Sequence, residues 1–312
     1  MAQSPQFLRL PDELLVEVIQ QVTTRERERF KATRSLSLVC RRMRPTAFGL
    51  MLARPTFHLR HTRRLLETYL EHPAALNKVR TVEIVTMGPG YPDDVPYDYY
   101  DAKYRPQYNH DDKKFELECL RIVDGLDCST LYKQLWKDHL QNYNGSCQPF
   151  LVLLLGILPN LEDLLIGSNH VSHIKLIDAL RPPAFDSPKF NYMFYTFEIL
   201  AANIRTLELP LIWKFDKNRR PRVYQAQLAV RLEDFRNLRT LTIPFAAIDT
   251  SDFLPASLEH LRIADAKDSG WFYYILLDWI KRKSDIKPTI PTSDSLRFIT
   301  SGAMPDKTIS RV

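Results

Sequence analysis

Apolar positions near the start of the chain recur at helical spacing. In the stretch "LRLPDELLVEVIQQV", residues 8–22, they stand three and four residues apart, which puts them on one face of a helix. Pro11 occupies the first turn, where its missing N–H costs no hydrogen bond, and two acids follow at the positive end of the helix dipole. The pattern therefore predicts an amphipathic helix. Its apolar stripe consists of Leu14, Leu15, Val18, Ile19 and Val22.

Two further short helices are predicted before residue 55. Thr23 and Glu26 form a capping-box pair for the second, whose first turns carry the charged letters "RERER". Pro45 and Pro55 bound the third. Three short helices in about 45 residues bury too little surface to be stable alone, so a partner or the rest of the chain must cover them. The apolar positions of these two helices are Phe30, Leu36, Val39, Cys40, Met43, Phe48, Leu50 and Leu52.

A different pattern, apolar-x-x-apolar-x-apolar, recurs after residue 55. It occurs in "LNKVRTVEI", "LPNLEDLLI", "NIRTLEL", "FRNLRTLTI" and "LPASLEHLRI", with partial copies in "TFHL" and "SLRFI". The last two apolar positions alternate, which places both on one face of a short strand. The steps between equivalent positions are 82, 43, 34 and 20 residues, so the repeat is irregular. The equivalent positions are Val82, Leu164, Leu207, Leu241 and Leu261.

Helix-like stretches separate the predicted strands. They are "TRRLLETYLEHP", "HIKLIDALR" and "SGWFYYILLDWIKRK", while "FLVLLLGIL" at 150–158 predicts a buried helix too short to span a bilayer. Within the widest gap, "LECLRI" fits either another strand or a helix through Phe115, Leu120 and Val123. Alternating strands and helices predict an irregular α/β solenoid with parallel strands, a leucine-rich-repeat-like fold. The alternative is an ordinary α/β domain whose strands contain leucine.

The first 54 residues resemble an F-box. The resemblance lies in "LPDELLVEVI" and in "SLVCRRMR" at residues 37–44, with departures at Met43, where an aromatic residue is common, and at "RERER". It implies a three-helix module that binds the Skp adaptor of a cullin-based ubiquitin ligase. The matching residues are Leu10, Pro11, Glu13, Leu14, Val18, Ile19, Leu36, Val39, Cys40 and Arg41. The adaptor-binding residues that the resemblance implies are Leu10, Pro11, Leu14, Leu15, Val18, Ile19, Leu36, Val39, Cys40 and Met43.

An F-box at 1–54 followed by divergent leucine-rich repeats at 55–312 resembles a combination common in fungal proteins. The resemblance implies a non-catalytic substrate-recognition subunit that joins the Skp adaptor, and through it a cullin, to an unidentified protein substrate. The alternative is a repeat-based binding scaffold whose N-terminal helices cap the solenoid and have no ubiquitin role. A hydrolase assembled from distant residues is a third hypothesis, for which the chain shows no phosphate loop, nucleotide turn or nucleophile elbow.

The segment 88–112, "GPGYPDDVPYDYYDAKYRPQYNHDD", is rich in tyrosine, aspartate and proline. Its prolines exclude a long helix or a central strand. It is interpreted either as a mobile insertion on the rim of the repeats or as a loop that contacts substrate, because tyrosine is enriched at recognition surfaces. Its acids lack the spacing of a calcium loop. The candidate contact residues are Tyr91, Tyr97, Tyr99, Tyr100, Tyr104 and Tyr108.

Composition and charge argue against several further classes of protein. The net charge is +6, but basic residues are interleaved with acids, which argues against a nucleic-acid interface. The four cysteines have no paired spacing, and His58 and His61 lack a third ligand, so neither a disulfide framework, a metal site nor a cofactor is predicted. No signal-peptide pattern precedes the first helix, which predicts a cytoplasmic or nuclear protein without a membrane role.

Overall fold

The chain is an α/β structure built around a parallel sheet. The computed structural model describes residues 10–11, 13–14, 17–18, 21, 33–35, 37–38, 44–85, 112–141, 148–167, 194–209, 232–244, 254–264 and 281. Helices in these ranges are α1 (Arg44–Ala53), α2 (Thr62–Glu71), α3 (Asp112–Gly125), α4 (Thr130–Gln141), α5 (Gln148–Gly156) and α6 (Phe194–Asn203). Strands are β1 (Thr56–Phe57), β2 (Thr81–Ile84), β3 (Asp163–Ile166), β4 (Thr206–Glu208), β5 (Thr240–Pro244) and β6 (His260–Ala264).

The six strands lie side by side in chain order, and every neighbouring pair is parallel. Each strand therefore pairs with the next one along the chain. The register confirms the equivalence predicted from spacing, although the steps between copies are unequal. The residues aligned across β2 to β6 are Val82, Leu164, Leu207, Leu241 and Leu261.

One face of the sheet is the core. Strand side chains alternate, so that Val82 and Ile84 are buried while Thr81 and Glu83 are half-buried. The same alternation repeats in β3. The buried face packs against the helices and shares one hydrophobic cluster with them. Burial of alternate positions explains why a one-residue slip of any strand would expose its whole apolar set.

Helix α5 lies at the centre of the helical layer. Residues 150–156, within the predicted 150–158 stretch, are all buried, which confirms the buried helix. The helix contacts α2, α4 and α6. At its end a Cβ on Gly156 would lie 3.1 Å from Thr196 Oγ1 and 3.5 Å from Trp136, so glycine permits the close approach of α4 and α6.

Several predicted elements are confirmed and others are decided by the structure. The predicted helix "TRRLLETYLE" is α2, and the partial copy at "TFHL" supplies β1. The ambiguous "LECLRI" belongs to helix α3, not to an extra strand. Helices α4 and α6 were not predicted from the sequence pattern. The helices predicted at 173–181 and 269–283 and the copy at 295–299 lie outside the described residues, except that Lys281 is helical.

Helix α1, the third predicted N-terminal helix, is joined to the core. Its Ala47 and Leu52 are buried, and it contacts the 3₁₀ segment Pro73–Lys78. Tyr69 of α2 is fully buried and its hydroxyl donates to the carbonyl of Leu52 at 2.6 Å. Burial raises the pKa of Tyr69, so the hydroxyl remains a donor throughout the neutral range. The N-terminal helical region and the sheet region are therefore in direct contact here.

The substitution Tyr69→Phe is expected to lower the free energy of unfolding by about 1–2 kcal/mol, because the buried carbonyl of Leu52 loses its donor. Urea unfolding followed by circular dichroism measures the change. An unchanged midpoint would show that the hydrogen bond does not hold α1 in place.

Candidate interaction surfaces

A ladder of side-chain hydrogen bonds aligns the starts of successive repeats. Each donor lies four residues before the aligned leucine of its strand and bonds a carbonyl of the preceding repeat. Asn160 Nδ2 donates to the carbonyl of Asn77 at 2.9 Å, and Asn203 Nδ2 to that of Pro159 at 3.2 Å. The next donors, each bonding back one repeat, are Asn237 to Ala202 at 2.5 Å and Ser257 to Leu238 at 2.8 Å.

The repeat pattern does not predict this ladder, because the pattern is defined by apolar positions and the donors are polar residues beside them. The donors can nevertheless be seen in the sequence as the middle residues of four triplets, each of which precedes a strand. The triplets are "PNL", "ANI", "RNL" and "ASL". A recurring amide or hydroxyl one residue before a buried apolar residue places a polar side chain at the exposed entry turn, where it can bond a carbonyl of the preceding copy.

We expect Asn237→Ala to lower the free energy of unfolding by about 1 kcal/mol, because the carbonyl of Ala202 loses its donor. Asn77→Ala is the matched control, since only the main-chain carbonyl of Asn77 takes part in the ladder, and should change stability by less than about 0.5 kcal/mol. Chemical denaturation of both variants compares them. Equal effects would mean that the side-chain hydrogen bond of Asn237 contributes nothing specific to stability.

The second face of the sheet is polar. We call it the polar face. Its charged residues are unevenly distributed across the strands. The residues of the polar face are Thr56, Thr81, Glu83, Asp163, Leu165, Thr206, Glu208, Thr240, Thr242, His260 and Arg262.

Carboxylates occupy the polar face from β2 to β4. The hydroxyl of Thr56 donates to Glu83 Oε2 at 3.0 Å, and that of Thr81 donates to Asp163 Oδ2 at 2.9 Å. Each hydroxyl comes from the preceding strand, so the stacking of strands itself orients the acids. Glu208 stands at the corresponding position of β4, in register with Leu165. A hydrogen-bonded carboxylate loses less rotamer freedom when it binds a cation, which favours recognition at this end.

The opposite end of the polar face carries basic groups. His260 and Arg262 lie on β6, and Arg262 is in register with Thr242, which is 7% exposed. The Nε atom of Arg262 is buried and has no hydrogen-bond partner among the described residues. A shielded guanidinium N–H without an acceptor is uncommon, because an unsatisfied buried donor costs free energy.

Ion pairs border the polar face where the strands begin. Arg80 pairs with Glu162, which also lies 3.5 Å from Arg205, and Arg239 lies 3.6 Å from Glu259. All three arginines are well exposed, so these pairs contribute little to stability. They do neutralise much of the charge at this border.

The N-terminal segment presents apolar side chains to solvent. Residues 13–14, 17–18, 21, 33–35 and 37–38 are helical. Leu14 is 44% exposed and Leu38 70% exposed, while Leu10 and Val18 are half-buried and Pro11 is exposed. The other predicted adaptor-binding residues, Leu15, Ile19, Leu36, Val39, Cys40 and Met43, lie outside the described residues.

Groups that could carry chemistry are sparse in the described ranges. Burial raises the pKa of the Cys119 thiol to about 12, with Arg63 opposing the shift, so this thiol stays protonated and unreactive at neutral pH. Burial also raises the pKa of Cys128. Where side chains are described, no three histidine, cysteine or acidic groups cluster as metal ligands. The six predicted tyrosines between 91 and 108 lie outside the described residues.

Fold and surfaces together define the class: an α/β protein with a six-stranded parallel sheet, one face covered by helices and the other polar. Comparison of the chain with known protein families, with curated proteins and with solved structures found no match. None of the described helices combines the length and the hydrophobicity that crossing a membrane requires.

Proposed function

We propose that this chain is the substrate-recognition subunit of a Skp–cullin–F-box ubiquitin ligase, acting in the cytoplasm or nucleus. The observation that carries the proposal is the exposure of Leu14 and Leu38 in helical segments of the F-box-like region. Leu14 is one of the positions that the F-box resemblance assigns to the adaptor. Because these leucines are 44% and 70% exposed, burying the remainder against another protein would contribute about 1–2 kcal/mol per side chain.

The sheet supports the second half of the proposal, an irregular leucine-rich-repeat solenoid. Strands in sequential parallel order, leucines in register from β3 to β6 and side-chain hydrogen bonds from one repeat to the next are features expected of stacked repeats. In this proposal the variable gaps hold helices of different number and length: α3, α4 and α5 all fall between β2 and β3.

The proposed mechanism is proximity. The F-box-like helices bind the Skp adaptor, the repeat region holds the target, and the ubiquitin-charged enzyme of the complex meets target lysines at raised effective concentration. The contact between Tyr69 and Leu52 supports a fixed relation between the two regions, because a target held on a rigid arm samples fewer unproductive orientations. The transfer of ubiquitin to the target lysine is carried out by other subunits of the complex.

A second candidate is a binding scaffold whose helices cap the repeats. The burial of Ala47 and Leu52 favours a capping role for α1, which covers the β1 end of the core. Capping by α1 is compatible with either function, since it leaves Leu14 exposed. What separates the two candidates is whether the first helix has an outside partner.

Size-exclusion chromatography of the full chain mixed with a purified Skp adaptor tests the proposal. A stable one-to-one complex is expected, and the double variant Leu10→Ala, Pro11→Ala should lose it while keeping the circular dichroism of the parent. Independent elution of the unsubstituted chain and the adaptor would favour the scaffold. A truncation for comparison should begin at Arg44, because removing α1 would take Leu52 out of the core.

A further inference from the structure

The polar face has opposite charge at its two ends. Its charged residues on β2 to β4 are all acidic: Glu83, Asp163 and Glu208. On β6 the charged residue of the polar face is Arg262, and His260 is the other polar-face residue of that strand. No lysine or arginine stands at a polar-face position of β1 to β5 in the described strands. A ligand lying across the strands therefore meets a negative field first and a positive group last.

Leu165 defines what the acidic end can hold. It pairs in register with Glu83 on one side and Glu208 on the other, and it is half-buried. An aliphatic side chain flanked by two carboxylates suits an arginine or lysine, whose methylene stem packs on leucine while its charged head reaches an acid. A purely acidic or purely apolar ligand would leave one of these contacts unmet.

Arg262 supplies a separate indication at the other end. Its buried Nε–H lacks an acceptor in the described structure. Arg262 as a whole is only half-buried, so a carboxylate bound beside it would form a charge-assisted hydrogen bond with its guanidinium. This observation does not depend on the acids of β2 to β4.

We propose that the polar face binds an extended segment of a partner protein that places a basic side chain over Leu165 and an acidic side chain against Arg262. The two positions are three strands apart, about 14 Å at ~4.8 Å per strand, which an extended chain covers in about four residues. Only the identity of this partner as a ligase target rests on the proposed function; the binding itself needs no adaptor.

A phage-displayed library of random dodecapeptides, selected on the intact chain, tests the inference. The expected result is enrichment of peptides with a basic and an acidic residue about four positions apart. The net charge of +6 would by itself favour acidic peptides, so an enriched basic residue reports the local face. No enrichment, or enrichment without this charge pair, would overturn the proposal.

The best peptide is then synthesised and its affinity measured by fluorescence anisotropy. Arg262→Gln should weaken it about tenfold or more, and replacing the peptide's acid by glutamine should cause no further loss in that variant. The double variant Glu83→Gln, Glu208→Gln should also weaken the peptide's binding. In that variant, replacing the peptide's basic residue should cause no further loss of affinity. The control Arg121→Gln, an exposed arginine of α3, should leave affinity unchanged. Equal binding to parent and Arg262→Gln would refute the proposed contact.

Adaptor binding of the same variants distinguishes this inference from the proposed function. Arg262→Gln should still co-elute with the Skp adaptor, because the substitution lies on β6 and not in the F-box-like helices. Peptide binding without adaptor binding would retain this inference and reject the ligase role. Adaptor binding without peptide selectivity would retain the ligase role and reject this inference.

Discussion

The double substitution Leu10→Ala, Leu14→Ala is expected to weaken binding to the Skp adaptor by about a hundredfold or more, because apolar anchors carry most of an interface's free energy. Leu14 is 44% exposed and Leu10 half-buried in the free chain. Truncating both therefore removes contact area from the interface while removing little from the chain's own core. Isothermal titration of the purified chain with adaptor measures the change.

The matched control is Leu117→Ala, Leu131→Ala. These two leucines, on α3 and α4, are 56% and 51% exposed, so the same atoms are removed from a surface of similar openness. Adaptor affinity should stay within about twofold of the parent, corresponding to less than about 0.5 kcal/mol. Equal losses in both pairs would indicate a general change of surface hydrophobicity, and no loss in either would reject the assigned interface.

The second large effect concerns two neighbouring leucines of β3. Leu164→Ala is expected to lower the free energy of unfolding by about 2–5 kcal/mol, because Leu164 is 1% exposed and its truncation leaves a cavity in the core. Leu165→Ala, one residue later, should cost less than about 1 kcal/mol, because Leu165 lies half-buried on the polar face. Guanidinium unfolding of each variant gives both values.

This pair has its control built in, since the chemistry of the substitution is identical and only the face differs. Adaptor binding should survive Leu165→Ala, and peptide binding should fall because the stem of the bound basic side chain loses its contact. Comparable destabilisation by both substitutions would mean that the alternation of β3 is wrong. It would also remove the basis for a distinct polar face.

Much of the strand layout could be predicted from the sequence. Leu207 and Leu241 were matched across a gap of 34 residues, and the register confirms that match. The reason is that an apolar residue at every second position, preceded by another three residues earlier, suits one-sided burial of a short strand. The length of the intervening segment does not alter this local requirement.

Helices were less well predicted where their periodicity was ambiguous. The "LECLRI" stretch has apolar positions that satisfy both a strand and a helix, and burial of Phe115, Cys119 and Val123 on one side of α3 shows which one packs. The local sequence could not decide between strand and helix, because the surface that covers the segment comes from other parts of the chain. Phe115, for example, packs against Phe150 of α5.

The sequence predicts short strands with one buried face, because alternation and leucine spacing are local properties. The tertiary structure alone decided which groups meet across long separations. Thr81 holds Asp163 and Asn160 holds the carbonyl of Asn77 although more than 80 residues lie between the partners. Apolar spacing aligns the strands, but it records neither which strands become neighbours nor which polar side chains bond across them.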